Sequence, residues 1–547
     1  MSGPGDRSTR GVRARRAAAL ARAREKPGAT RIAVAVHVIA AVVPAAFFVA
    51  GCTSAPDSEP AAGWRADCAK PVRPAPLSLE AAREAHRLAE RRHLLRLREA
   101  RAPGSFLREV HAALDPERVA GGEICPDELA NLGELVFEHE YGFADGLGGG
   151  QAVATNPAGP FRRVHEGAFG GPETISCSSC HWIGGPNGAG AETDNAFLHG
   201  NGDRIRSGDD RNPPALIALG VVEALAREMT RELHRQRDAI VAEASRAGEP
   251  GEARLIAKGV DFGVLRAAKD GEIDVSGVRG VDGDLVVKPF GWKGTLAAIE
   301  AFSGEALQMH IGVQSDSLIA TASADMLGRG SDPDDPDDDG VRGELGRGPL
   351  AAMTVHLALL ELPIAEPLAQ HRPFGPAAEG LLAPTTTSFA DDFRRGRKLF
   401  HEIGCASCHV PMMVLDSPVL ALEGLPSIDL SQQMREPALT YDASVGGYPV
   451  WLYSDLKRHD MGKSNAARHV QSGVARREYL TPRLWGVADS APYLHDGRAP
   501  SFDYAIAGHD GEGAGARAAF AGLDRDAKGA LRVYLMSLRR ASRVVVP

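Results

Sequence analysis

The chain has 547 residues, 44% of them hydrophobic and 24% charged, with a net charge of −9 and a pI near 6.1. That length holds two or three domains, and the composition is that of an ordinary globular protein. With a pI near 6.1 and no basic patch carrying interleaved aromatics, nothing argues for nucleic acid as a partner.

The first 31 residues are rich in Arg and Ala. Ile32 to Ala50 is then apolar apart from His37, with Pro44 inside it, and Val49-Ala50-Gly51-Cys52 closes the run. A charged stretch, an apolar stretch, small residues and a cysteine look like a bacterial lipoprotein signal, with Cys52 as the lipidated residue. A single uncleaved span is the other reading, since the run is just long enough to cross a bilayer. Either way the rest of the chain is expected in the periplasm or elsewhere outside the cytoplasm, anchored to a membrane. Residues 53–78 are rich in Pro and Ala and read as a tether. Ser78 offers an N-cap to an Arg- and Leu-rich helix over about 79–102, which Pro103-Gly104 stops.

A short helix is expected from Glu128 to His139, then a Gly-rich loop over 145–150. Cys177-Ser178-Ser179-Cys180-His181 follows, with a twin at Cys405-Ala406-Ser407-Cys408-His409. Each reads C-x-x-C-H, the attachment signature of a c-type haem. Residues three and four apart share one face of a helical turn. Both thiols can therefore reach the vinyl groups of one porphyrin, and the adjacent histidine can turn its imidazole to the iron. With 7 Cys and 18 His in the chain, roughly 0.003 copies would arise by composition alone. Two covalent haems are the expectation, bound by Cys177, Cys180, Cys405 and Cys408, with His181 and His409 as proximal ligands.

Between the motifs, Arg211-Asn212-Pro213-Pro214 precedes a helical stripe of Leu216, Leu219, Val222, Leu225 and Met229, which is core packing. Asp284 to Lys288 reads as a short strand. Phe290-Gly291-Trp292-Lys293-Gly294 leads into a helix carrying Glu305, Gln308, Met309 and His310. Glu305 is a candidate acid or base for proton movement. Six aspartates crowd Ser331 to Gly340, and Asp335 to Gly340 matches the opening of an EF-hand loop. The closing glutamate is missing, because Gly346 stands there. A bound Ca²⁺ and a solvated acidic turn are both open.

Asp391 to Phe400 opens the helix before the second motif, and a last amphipathic helix runs over about 524–539. The cysteines then add up: one for lipid and four for haem leave Cys68 and Cys125, which an oxidising compartment would join.

The order G-L-G, C-x-x-C-H, R-N-P-P-A-L, G-W-K-G, Q-M-H-I-G and a second C-x-x-C-H resembles the bacterial dihaem c-type oxidoreductases. These are distant relatives of the dihaem cytochrome c peroxidases and of the methylamine-utilisation dihaem enzyme. The resemblance spans roughly residues 126–547. It implies a mainly α fold, with two cytochrome c-like haem domains, long loops and little β. The division expected is 1–52 signal or anchor, 53–125 tether and helical segment, 126–380 first haem domain and 381–547 second haem domain. Trp292 resembles a tryptophan that relatives place between their haems to relay electrons. His310, in the Q-M-H-I-G segment, is the first choice for the sixth ligand of the first haem, and His199 the second. Met461, in the family-like segment Tyr453 to Gly462, is the choice for the second haem, with His459 as rival. Met412 and Met413 lie too near the attachment turn to reach the opposite face. The block Ala491 to Ala499 is also family-like, and His495 or Arg498 could meet a propionate. Relatives bind calcium between domains, which favours an ion at the aspartates.

The activity implied is peroxidase-like. Electrons from a small redox protein or a quinone-linked donor would enter at the C-terminal haem and leave to hydrogen peroxide, a small-molecule oxidant, at the N-terminal one. A membrane-anchored electron carrier without turnover, or an oxidative modifier of a partner protein, are the alternatives.

Overall fold

Six helices position the sites: α1 Pro126–Glu138, α2 Leu219–Ala247, α3 Ile299–Ala306, α4 Arg347–Ala358, α5 Phe389–Glu402 and α6 Arg525–Ser537. The computed structural model describes residues 63–65, 68, 77–78, 110–148, 173–198, 207–321, 332–337, 339–364, 388–433, 437–540 and 544–545. The apolar run at 32–50, the helix expected over 79–102, His199 and the expected domain boundary at 380–381 lie outside them. Among the described residues no helix is long and apolar enough to cross a membrane.

Proline opens α1, with Asp127 and Glu128 in its first turn. Proline's missing N–H costs nothing there, and the acids meet the positive end of the helix. The N-cap residue is Cys125, which forms a disulfide with Cys68, the pairing the cysteine arithmetic expects. α1 crosses α4 at Gly133, where any Cβ would overlap the Ala352 carbonyl. α4 is buried from Gly348 to Ala358, so it is a central post rather than an amphipathic surface helix.

The helical stripe expected from Leu216 is found, but α2 starts only at Leu219 and continues for 29 residues. Two consecutive prolines hold the chain extended before it, and Ala218 takes φ 49°. α2 is a beam about 44 Å long, and two buried acids on it tie down other elements. Glu223 pairs with Arg227 at 2.6 Å and accepts from Ile299 N at 2.8 Å, at the start of α3. Glu228 meets Lys258 at 2.7 Å and accepts from the backbone of Asp416 and Ser417.

Among the described residues the sheets comprise one of three strands and five of two. The three-stranded one, β1 Gly251–Ala257, β2 Val260–Ala267 and β3 Ile273–Asp274, is antiparallel and was not foreseen. Its first turn is Lys258-Gly259, both at positive φ, as a two-residue hairpin requires. The strand expected at 284–288 is absent. Asp284 Oδ1 accepts from Val286 N at 2.9 Å, and Leu285 takes φ 60°. Such local side-chain bonds draw the backbone away from a ladder.

Ser388 caps α5 through Asp391 N, and Asp524 caps α6 through Ala527 N. The two helices pack together, Phe393 and Phe400 lying 5.3 and 5.5 Å from Tyr534 between ring centroids. α5 delivers the chain directly to Cys405.

Candidate active site

Both C-x-x-C-H segments wind a single turn. Cys177 O accepts from the backbone of Cys180 and His181, and Cys405 O accepts from the backbone of Cys408 and His409. The four motif cysteines are free thiols. Burial pushes the thiols of Cys177 and Cys405 up to about 12 and 11, so neither is an acidic redox dithiol of the thioredoxin kind. A turn presenting two thiols beside a histidine fits covalent haem.

The histidines complete the fit. His181 Nδ1 lies 3.1 Å from Gly188 O and 3.0 Å from Pro214 O. His409 Nδ1 lies 3.1 Å from Tyr453 O. A carbonyl at Nδ1 fixes the proton there and leaves Nε2 for a metal. Burial pulls both imidazoles down to about 4, so each is neutral at physiological pH, as a ligand must be. Pro213-Pro214 thus has a role beyond holding the chain extended before α2: Pro214 sets a carbonyl against His181.

Around the first motif, Phe137 of α1 lies 6.2 Å from His181 and 6.0 Å from His356 of α4 between ring centroids. Asn187 bridges to His356 at 3.2 Å. His310 stands on a π-helical turn, Leu307–Ile311, a distortion frequent at functional sites. Its Nδ1 meets Glu173 Oε2 at 2.7 Å, and its carbonyl accepts from Glu173 N and Thr174 N. His310 is close enough to His181 to disfavour its protonation. Burial raises the Glu305 carboxyl above the usual range, against the pull of His310. Glu305 and His310 are therefore gathered near the first motif. Gly312, at φ 92°, ends the turn, and any Cβ there would overlap Gly148. The G-L-G and Q-M-H-I-G segments meet at that contact.

The second motif opens on a cavity of about 600 Å³, lined by Cys405, Cys408, His409, Met461 and Trp292. Trp292 also reaches the first site: its Nε1 donates to Asn212 O at 2.8 Å, two residues before the Pro214 carbonyl that holds His181. Lys293, wholly buried, donates to the carbonyls of Ala475, Arg476 and Glu478 and lies 3.7 Å over the Tyr479 ring. Leu480 N in turn donates to Trp292 O. The G-W-K-G segment is thus a staple that sets the tryptophan between the sites.

His459 is not available to iron. Its Nε2 meets Asp455 and its Nδ1 meets Glu512, each at 2.8 Å. Against burial, Asp455 foremost and then the Cys408 sulfur push its pKa up to about 11. His495 is half-buried, stacked 4.3 Å from Tyr479, and Arg498 is engaged by Asp496 and Asn465. Two cavity residues were missed by sequence reasoning. Arg483 bonds Ala215 O at 3.4 Å and could hold a propionate. His509 stands across from His409, ring centroids 6.4 Å apart. No motif marks either one.

Asp335, Asp337 and Asp339 bring carboxylate oxygens within 4.8 Å of one another. Glu344, also missed, lies near enough to the three aspartates for their charges to help raise its carboxyl, behind burial. It is buried, and its Oε2 accepts from Gln314 N at 2.7 Å. Asp337 Oδ1 is buried without a hydrogen-bond partner.

Residues 378–538 match the family model described as "Di-haem oxidoreductase, putative peroxidase". The match falls on the segment carrying the second C-x-x-C-H motif and agrees with the family the resemblance names. No curated protein matches the chain. Among solved structures, it is similar to Kuenenia stuttgartiensis hydrazine synthase at 20% identity. That match covers 51% of this chain and 78% of the other, with a TM-score of 0.23. A MauG-like protein associated with microbial copper homeostasis is 16% identical over 51% of this chain and 77% of its own, with a TM-score of 0.24.

Proposed function

We propose that this di-haem oxidoreductase chain is a peroxidase with two haem c groups in cytochrome c-like surroundings. Electrons from a small redox protein or quinone-linked donor enter at the Cys405–His409 site and leave to hydrogen peroxide at the Cys177–His181 site. The observation that carries this is Trp292, whose ring lies in the cavity of the second motif while its Nε1 bonds the segment that anchors His181. A haem held at His181 would supply reductive cleavage of the O–O bond. The chain does the rest. Gly188 and Pro214 keep the His181 imidazole neutral and oriented. Glu305 keeps its proton above the usual carboxyl range and is suited to hand it to a departing oxygen. Glu173 orients His310.

The test is to take the half-reduced protein, add one equivalent of peroxide, and follow both irons by electron paramagnetic resonance. Peroxide takes two electrons, so both irons are expected to change, one electron from each, as one equivalent is consumed, and Trp292→Phe is expected to slow the exchange between irons about tenfold or more. If both irons stay six-coordinate and low-spin in every redox state, and peroxide leaves the spectrum unchanged, the chain is an electron carrier without turnover.

The Cys68–Cys125 disulfide supports placement in an oxidising compartment, with residues 32–52 as lipoprotein signal and anchor. Cys52→Ala is expected to shift the protein from the membrane to the soluble fraction.

A calcium ion at Asp335, Asp337, Asp339 and Glu344 is part of the same reading. Burial, with the neighbouring aspartates, raises Asp337 from 3.8 to about 8, and burial with Asp337 takes Glu344 to about 10. An acid whose folded pKa is raised stabilises the fold below its unfolded value and loses that contribution as pH rises. Chelated protein is therefore expected to lose stability between about pH 4 and 8. Calcium at a hundredfold excess over its Kd restores about 2.7 kcal/mol. Thermal melts across that range, with and without chelator, check it. A melt that calcium does not move would leave a solvated acidic turn. Glu344 also holds Gln314 N, four residues past His310, so the ion would brace the first site.

A further inference from the structure

We propose that His509 is the sixth iron ligand at the C-terminal site, opposite His409. The inference rests on reading Cys405–His409 as a haem attachment turn. His509 follows the short helix Phe502–Ala507. Its Nδ1 donates to Ala505 O at 2.8 Å, as His409 Nδ1 does to Tyr453 O at 3.1 Å. Each ring therefore has one nitrogen fixed on the backbone and one, Nε2, left for a metal. The two rings line one cavity, with centroids 6.4 Å apart and planes inclined at 60°. A metal–imidazole bond of about 2.0–2.1 Å plus roughly 1.1 Å from nitrogen to ring centre places two trans imidazoles about 6.3 Å apart. The observed spacing is that of two rings sharing one iron.

The segment is held in place for this. A Cβ on Gly513 would sit 3.1 Å from the His509 Cβ and Cδ2, so the ring lies against a bare glycine. Asn465 Nδ2 donates to Gly508 O at 3.0 Å and to Met461 O at 2.7 Å. It thus clamps the histidine segment beside the methionine that competes for the position. Met461 lines the same cavity, but the ring spacing assigns the position to His509. The consequence is electronic. Methionine–histidine ligation raises a haem's potential, so an imidazole pair makes this haem more reducing and better suited to pass electrons onward.

The holoprotein is first assayed by pyridine haemochrome. Fewer than two covalent haems per chain would overturn the attachment reading itself, separately from the ligand assignment. With two haems present, wild type is expected to show bis-imidazole low-spin signals in electron paramagnetic resonance and near-infrared magnetic circular dichroism, without the thioether-to-iron(III) charge-transfer band. His509→Ala converts one haem to high spin, and Met461→Leu leaves both spectra as they were. His509→Met, which keeps a ligand in place should alanine disturb folding, acquires the thioether band and a higher potential. The assignment is overturned if wild type already shows the thioether band. It is likewise overturned if Met461→Leu makes a haem high-spin, or if the His509 variants keep the wild-type spectrum.

Discussion

Replacing His181 by alanine is expected to leave both haems covalently attached while cutting peroxide reduction at least a hundredfold. Changes to the partners of a metal-bound histidine already cost about 10–100-fold, and here the ligand itself is removed. Its Nδ1 carbonyls, Gly188 and Pro214, would lose the group they orient. His409→Ala should behave differently. It interrupts delivery of electrons, so steady-state turnover falls, but peroxide still perturbs the spectrum of the N-terminal site. Peroxide consumption and haem spectra of the two variants, measured side by side, separate oxidant site from entry site. Full activity in His181→Ala would move peroxide chemistry away from the first motif.

Gly396→Val is expected to destabilise the C-terminal region by about 3 kcal/mol or more, the upper end for overpacking. α5 and α6 touch at this glycine. Any Cβ would overlap the Ala530 carbonyl oxygen, with the carbonyl carbon at 2.7 Å and the Tyr534 Cβ at 2.8 Å. None of those atoms is the end of a flexible side chain, so the helices must separate. Separation then opens the contacts of Phe393 and Phe400 with Tyr534. Because α5 runs directly into Cys405, haem attachment at Cys405 and Cys408 should fall as well. Denaturant midpoints and haem content of the purified variant measure both effects. A midpoint unchanged within error would show that the crossing relaxes more easily than backbone-on-backbone contact permits.

The parts legible in sequence are those governed by short spacings. C-x-x-C-H places two thiols and an imidazole on one turn whatever surrounds it, and both turns are found. α5 and α6 carry their capping Ser388 and Asp524 in the sequence itself. The hairpin at 251–267 is legible too, as apolar alternation either side of Lys258-Gly259. The run at 284–288 misled because period-two patterning ignores Asp284, whose carboxylate bonds the backbone two residues on.

What only the tertiary structure decided is which distant groups meet. His509 faces His409 across 100 residues of chain, Glu344 feels the charges of three aspartates, and His459 is withdrawn by Asp455 and Glu512. The physical reason is that attachment is a property of one turn, read from covalent spacing. Axial partners, proton affinities and relay contacts are instead set by distance and burial, which packing creates and residue order does not encode locally.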